Sequence, residues 1–298
     1  MEISAKMVKD LRECTGAGMM DCKKALSEVE GDMDAAIDLL RTKGLAALAK
    51  KAGRATNEGI IGGFVSDDRR VAALVEVNCE TDFVARNADF KAFVAEVAAH
   101  VATAAPADVS ALMAQSFSGR TETFEAVLGE TVGKIGENMG VARFARYEVA
   151  ADFGAITVYI HGVGNIGVVL ELSVSTAEAA SSDAFAALGK DLAMQVAAAG
   201  PYAVSRDKIA ADVVAHELAI FKAQAAESGK PEEIQTKMAE GRLEKFYKEV
   251  ALLEQVYVKD NDVTVKQYVE QVAKEVGASI EVVRFDRFVL GETATGGE

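Results

Sequence analysis

The sequence predicts an α+β fold. A three-helix N-terminal unit precedes a duplicated β-β-α-(α)-β core of antiparallel sheets, and an antiparallel coiled-coil hairpin is inserted in the second half. Three observations carry this. Slid against itself by 95 positions, the chain meets its own pattern without a gap: Gly59 falls on Gly154, Ile61 on Ile156, Phe64 on Tyr159, Glu76 on Glu171, Phe90 on Phe185 and Pro106 on Pro201. Self-similarity at one register implies repeated supersecondary units. Ahead of the repeat, residues 1–54 hold apolar side chains only at helical spacing. Late in the second unit, two polar helical stretches meet at Ser228-Gly229-Lys230-Pro231, a stop followed by a start.

Taken in order, Ser4 stands as an N-cap, and Met7, Val8, Leu11 and Cys14 follow at helical spacing. Thr15-Gly16-Ala17-Gly18 breaks this helix. Asp21 opens a second through Leu26 and Val29, Gly31 ends it, and Met33, Ile37, Leu40 and Leu45 mark a third. The basic run Ala46 to Arg54, with Lys50 and Lys51, reads as a linker into the core. The first half of the core is 55–150. Its organising strand is Val71 to Val77, a short Val-rich apolar run that ends at Asn78. The second half is 151–203 with 251–291. Asp67-Asp68 and Gly162 to Gly164 fall in corresponding hairpin turns. Val141 to Val149 and Val282 to Leu290 share an alternating Arg-Phe-x-Arg-aromatic pattern and close the two halves as third strands. Residues 204–250 form the hairpin. Its arms run from Asp207 to Glu227 and from Glu232 to Val250, with a seam of Ile209, Val213, His216 or Glu217, and Ile220 against Ile234, Met238, Leu243 and Phe246. Residues 292–298 read as a flexible tail.

Composition narrows the function. Among 298 residues, 46 acidic against 32 basic side chains leave a formal charge of −14, which repels phosphate backbones and sets aside direct nucleic-acid binding. Cys14, Cys22 and Cys79 are odd in number and not at metal spacing, as expected of free thiols in a reduced compartment. No apolar run reaches the roughly eighteen residues of a membrane span, and a charged amphipathic helix stands where a signal peptide would, so a cytoplasmic protein is expected. The Gly-rich stretch Gly162-Val163-Gly164-Asn165-Ile166-Gly167 connects two apolar strands and opens no helix, so it is a hairpin turn and not a dinucleotide fingerprint. No nucleophile or acid–base set accompanies it. No catalytic residue, cofactor or metal is expected, and His216 is assigned no chemistry.

Thr81-Asp82-Phe83-Val84 follows the organising strand, putting a large ring and a carboxylate where polar turn residues are usual. Two readings stand. In one, Phe83 folds back onto the core while Asp82 or Thr81 caps the next helix. In the other, the ring is an anchor for a cleft in another protein. The repeat favours the second, because Ala177 and Glu178 occupy the corresponding places and a pair serving only the fold would be kept in both copies. Met19 and Met20, on the turn between the first two helices, are either core filler or an adaptable docking surface.

Thr15-Gly16-Ala17-Gly18-Met19-Met20-Asp21-Cys22-Lys23-Lys24-Ala25-Leu26 and Glu76-Val77-Asn78-Cys79-Glu80-Thr81-Asp82-Phe83-Val84 resemble the two signature segments of the translation elongation factor Ts family. The resemblance runs on through Lys134-Ile135-Gly136-Glu137-Asn138, His161-Gly162, Ile166-Gly167-Val168, Ser228-Gly229-Lys230-Pro231 and Glu240-Gly241-Arg242. It implies a ubiquitin-associated-like (UBA-like) N-terminal domain and a guanine-nucleotide exchange factor for elongation factor Tu. Asp82-Phe83, flanked by Thr81 and Val84, would enter the GTPase domain near its Mg2+ and switch region. Arg12, Met19 and Met20 would touch that domain, and Ile135, Gly136 and His161 would face Tu from the core. A homodimer or a two-to-two complex stays open. Many members carry a further C-terminal helix, whereas the tail after Leu290 reads Gly-Glu-Thr-Ala-Thr-Gly-Gly-Glu, so that contact is expected to be absent. The alternative is a structural adaptor that uses the three-helix domain without exchange activity.

Overall fold

A computed structural model describes residues 3–15 and 17–292. Three N-terminal helices, α1 (Ala5–Thr15), α2 (Met19–Glu28) and α3 (Met33–Lys51), close over Val8, Leu11, Cys22, Ala25, Leu26 and Ala36. Ser4 Oγ accepts the Met7 N–H at 3.2 Å, the cap expected there. Gly16 of the expected break lies outside the described residues. Two boundaries differ from the sequence reading. The second helix starts at Met19 and not at Asp21, with Gly18 at its N-cap. The run Ala46 to Lys51 is no linker but the second half of α3. Within this helix Gly44 marks a crossing. A Cβ on Gly44 would stand 3.1 Å from the Gly129 carbonyl and a Cβ on Gly129 equally close to that of Gly44, so only a glycine pair lets α3 lie this close to the core helix Phe124–Ile135.

The first half runs β1 (Glu58–Val65), β2 (Val71–Cys79), α4 (Asp82–Arg86), α5 (Ala88–Ala104), α6 (Val109–Ala114), α7 (Phe124–Ile135) and β3 (Met139–Glu148). The second runs β4 (Gly154–His161), β5 (Ile166–Val174), α8 (Ala177–Ala180), α9 (Asp183–Ala199), the helical pair α10 (Ala211–Ala226) and α11 (Glu232–Val250), a short ladder β6 (Val256–Tyr257) and β7 (Asp260–Thr264), α12 (Val265–Glu275) and β8 (Ile280–Val289). The sheets are antiparallel, β1-β2-β3 and β4-β5-β8, with the apolar strand central in each. The organising strand extends two residues past Val77, since Asn78 and Cys79 pair with Gly140 and Met139.

Strand β2 is buried along nearly its whole length, and apolar but for Glu76 and Asn78, because both its faces are covered. Ala73, Val75 and Val77 pack with Phe90, Val94 and Val97 of α5, whereas Ala72 and Leu74 meet Ile156, Val169 and Phe288 of the second sheet. The two sheets therefore face each other, with α5 and α9 outside them. Reciprocal contacts join them about a pseudo-two-fold. Ile61 N–H donates to Gly164 O and Ile156 N–H to Arg69 O, each at 2.8 Å, while Val149 N–H reaches Arg70 O and Leu290 N–H reaches Asn165 O, each at 2.9 Å. Buried Glu76 takes Arg143 at 2.8 Å and buried Glu171 takes Arg284 at 2.7 Å, both beside a β-bulge. Each arginine also lies over a ring of the other half, Arg143 on Phe288 at 4.2 Å and Arg284 on Tyr147 at 4.0 Å.

The arms α10 and α11 pack antiparallel, with Phe221 edge-on to Phe246 and Ala225 and Ala239 buried between them. Glu217 faces the seam and His216 faces solvent, while Ile234, expected on the seam, is exposed. At the base, Arg206 lies over the Tyr247 ring and pairs with Glu244 and Glu254. The tail begins later than expected, since Glu292 pairs with Arg143 at 3.4 Å; residues 293–298 lie outside the described residues. Among the described residues no helix is long and apolar enough to cross a membrane.

Candidate functional site

The candidate site is built where β2 runs out. Thr81 stays extended (φ −129°, ψ 154°) and caps α4, its Oγ1 accepting the Val84 N–H at 3.4 Å. This short helix has one inward face. Ala85 is buried, Val84 packs partly against the first-half core, and Asn87 ends the helix by capping α5. The opposite face carries Phe83, 82% exposed. The fold-back reading is thus set aside for the ring, although Thr81 is the cap it named. Asp82 is also on the surface, paired with Arg86 at 3.1 Å. Such an exposed pair contributes at most about 0.5 kcal/mol, so its carboxylate is free to change partners.

Two carboxylates tie this turn to the loop between α7 and β3. Glu137 accepts the Thr81 N–H at 3.0 Å on one oxygen and the Thr81 hydroxyl at 2.6 Å on the other. Glu80 accepts the Asn138 N–H at 2.6 Å and pairs with Arg54 at 3.3 Å, while the Asn138 side chain donates to Arg54 O at 2.9 Å. The Asn138 amide holds the Glu80 carboxyl below its usual range, with Arg54 adding to the effect. Below the turn the buried Cys79 thiol donates to Thr81 O at 3.2 Å. Burial first, and then the charge of Glu137, push it up to about 12, so it stays protonated and inert.

The same loop brings Ile135 and Gly136 beside the turn. Ile135 ends α7 and is half-buried against the first core; Gly136 (φ 91°) turns the chain in a left-handed conformation that favours glycine, directly before Glu137. Met19 and Met20 occupy the first turn of α2, 58% and 62% exposed, and neither belongs to the three-helix core, which removes the core-filler reading. Arg12 is exposed in the last turn of α1 and makes no ion pair among the described residues. A groove of about 940 Å3 runs between the three-helix unit and α5 and α7 beside the Gly44–Gly129 crossing, and Gly18, next to Met19, and Ile135 both line it. His161 stands apart, exposed at the end of β4 with Tyr159 Oη 3.0 Å from its Nδ1, and no contact among the described residues joins it to the turn. Among the described residues no group of three His, Cys, Asp or Glu side chains is placed to hold a metal ion.

Comparison with known proteins matches this architecture to one family. A family profile described as Elongation factor TS matches residues 80–292. The elongation factor Ts of Trichlorobacter lovleyi is 50% identical over 293 residues, which is 98% of this chain and 94% of that protein. That of Clostridioides difficile is 50% identical over 290 residues (97% and 93%), and that of Syntrophotalea carbinolica 49% over 292 (98% and 94%). The chain belongs to the elongation factor Ts family. It is thereby a factor of translation elongation in protein biosynthesis.

In this chain, sequence reasoning found the exposed ring but missed what holds it. Glu80, Arg54 and Asn138 carry no pattern of their own, and Glu137 lies 56 positions from the threonine it binds. The only signal was that Glu80 and Glu137 both fall inside the quoted family segments.

Proposed function

We propose that this chain is the guanine-nucleotide exchange factor for elongation factor Tu. It binds the GDP form, inserts Asp82 and Phe83 into the GTPase domain so that Mg2+ and GDP leave, and is released when GTP binds. The observation that carries the reading is Phe83: a large ring, almost wholly in solvent, on a turn whose Thr81 is tied down through both its backbone N–H and its hydroxyl. A fixed aromatic on a rigid support is how binding hot spots are made.

The thermodynamics is linkage. A factor that prefers the nucleotide-free GTPase lowers GDP affinity by the same ratio, and no covalent chemistry or cofactor is needed. A wedge near the metal site can move the segments that bear Mg2+ and phosphate. In this reading residues 1–54 act as the UBA-like domain and dock Tu through Arg12, Met19 and Met20. Ile135 and Gly136, set beside Thr81 and Val84, extend the contact from 55–150, and His161 adds one from the second half, 151–203 with 251–291. The hairpin 204–250 projects from that half, and the protein works in the cytoplasm. The factor itself binds no nucleotide, its Gly162 to Gly167 stretch being the turn between antiparallel β4 and β5.

The test is stopped-flow release of a fluorescent GDP from elongation factor Tu at rising concentrations of this chain. Release should rise with the chain's concentration and saturate at a plateau well above the spontaneous rate. A rate that does not depend on the chain would refute exchange and return the adaptor reading.

A further inference from the structure

We propose that Glu80 and Glu137 are positioning residues, a reciprocal carboxylate latch that holds the Thr81–Val84 turn in the one conformation its partner accepts; the proposal rests on the exchange reading above.

The geometry is reciprocal. Each carboxylate stands immediately before the residue that the other one binds: Glu80 precedes Thr81, which is held by Glu137, and Glu137 precedes Asn138, which is held by Glu80. Four groups on two loops are thereby locked pairwise. Because the Thr81 hydroxyl donates to Glu137 while accepting from Val84, its rotor is fixed from both sides. Hydrogen bonds to an ionised acceptor are shorter and roughly twice as strong as neutral ones, and the 2.6 Å contacts of both glutamates fit that class.

The chain supplies its own control. The 95-position register places Ser175 and Thr176 at Glu80 and Thr81, and the offset that sets Arg143 on Arg284 places Ala278 and Ser279 at Glu137 and Asn138. The second turn has nearly the same backbone. Thr176 sits at φ −139°, ψ 152° and caps α8 by accepting the Ala179 N–H at 3.3 Å, and Ser279 N–H donates to Ser175 Oγ at 3.1 Å where Asn138 donates to Glu80. A serine and an alanine thus build this turn as a fold element. The carboxylates stand only in the copy that carries the exposed ring, and Ala177 and Glu178 take the places of Asp82 and Phe83 in the copy that lacks them.

A role in presentation has its own kinetic signature. If loosening the turn leaves only a fraction of molecules in the competent conformation, the apparent dissociation constant rises by the inverse of that fraction, while the saturated complex still contains Asp82 and Phe83. Loss of the latch therefore shifts the midpoint of exchange and leaves the plateau. Loss of the ring lowers the plateau.

The experiment transplants the second copy's residues as Glu80→Ser with Glu137→Ala in the full chain. In the free factor, hydrogen exchange at the Thr81 and Asn138 amides should accelerate at least tenfold, with the melting temperature held within a few degrees. In stopped-flow GDP release the midpoint should rise roughly three- to tenfold and the plateau stay within about twofold. Unchanged amide protection overturns the latch. Faster amides with an unshifted midpoint overturn its role in exchange, and so does a lowered plateau. Should the double variant fail to fold, Glu137→Gln, which keeps the shape but turns an amide toward one of the two Thr81 donors, is read by the same criteria. Phe83→Ala is run alongside: if it leaves the whole release curve unchanged, the exchange reading fails, and the amide measurement still decides whether the latch exists.

Discussion

Replacing Phe83 by alanine separates a binding ring from a core ring by two numbers that move independently. Full burial of a phenylalanine side chain contributes about 1.5–3 kcal/mol. With 82% of the residue in solvent, the part lost on truncation is a fifth of that, about 0.3–0.6 kcal/mol. Alanine is the better helix former in the first turn of α4 by some tenths of a kcal/mol, which offsets most of the loss. The expected change in stability is therefore within about 0.5 kcal/mol of zero, seen as no resolvable shift in a urea or thermal melt. Phe90 and its repeat partner Phe185 are buried, and either truncation should cost about 3–5 kcal/mol. The effect on exchange goes the other way in size. An aromatic hot spot is worth about 2 kcal/mol or more, roughly thirtyfold, and on the proposed function, in which the ring acts in the nucleotide-free complex, the loss should appear in the plateau of stopped-flow GDP release. A melting temperature lowered by more than about 4 °C in step with activity would refute the reasoning and make the ring part of the core.

Three further outcomes are expected. Met19→Ala with Met20→Ala removes adaptable apolar contact without disturbing the turn, so the concentration for half-maximal GDP release should rise while the plateau stays within about two- to threefold; a depressed plateau would move the exchange lever to the three-helix unit. Deleting residues 211–248 and bridging them with Gly-Ser should leave the core melting cooperatively, because the backbone pairing of Tyr202 and Ala203 with Val250 and of Leu252 and Leu253 with Ala203 and Val204 is retained; loss of the cooperative melt would make the arms part of the core. His100 lies against the Phe117 ring and accepts the Ser118 N–H on Nδ1 at 3.2 Å, and burial lowers its pKa from 6.5. Between the lowered folded value and the unfolded one the unfolded chain binds more protons, so this contribution is complete above about pH 6.5 and fades as pH falls below it. Urea melts at pH 7.5 and 5.5 should show a smaller acid loss in His100→Asn, and an equal loss in both proteins would refute the assignment.

The features legible in the sequence are those a duplication writes twice. Strand β2 from Val71 to Cys79 and β5 from Ile166 to Val174 bound the same stretch in the 95-position register, as do α5 and α9, because burial between a helix and a second sheet imposes the same apolar run on both copies. The misreadings were local signals overridden by tertiary contacts. The run from Ala46 reads as a linker until α3 is seen to continue to Lys51 past its crossing with Gly129, and Asp21 opens a helix only until the chain is seen to turn at Gly18. The β6–β7 ladder escaped notice because Asp260-Asn261-Asp262 reads as a turn, and what fixes the ladder lies elsewhere: Gln195 clasps Val256 O and Val258 N–H, and Tyr257 Oη reaches Asp191 at 2.9 Å. The exposure of Phe83 was legible for a different reason, namely a difference between two copies that otherwise agree.

That difference makes physical sense once the contacts between the halves are set beside the turn. Ile61 and Ile156, Glu76 and Glu171, Arg143 and Arg284 all make the same bonds in both copies. A buried ion pair whose partner is removed costs several kcal/mol, so these positions have no room to diverge. The turn after the central strand is under no such constraint, since it lies outside the sheet-to-sheet contact and a serine and an alanine suffice to close it in the second half. In the first half the same turn carries a ring that gains little from folding and two carboxylates in the places that Ser175 and Ala278 fill in the second. A side chain in solvent that gives the fold little, on a support tighter than its twin requires, is what the proposed partner contact calls for. Under the proposed exchange function, variants at the symmetric interface should be read through stability and variants at the unsymmetric turn through exchange.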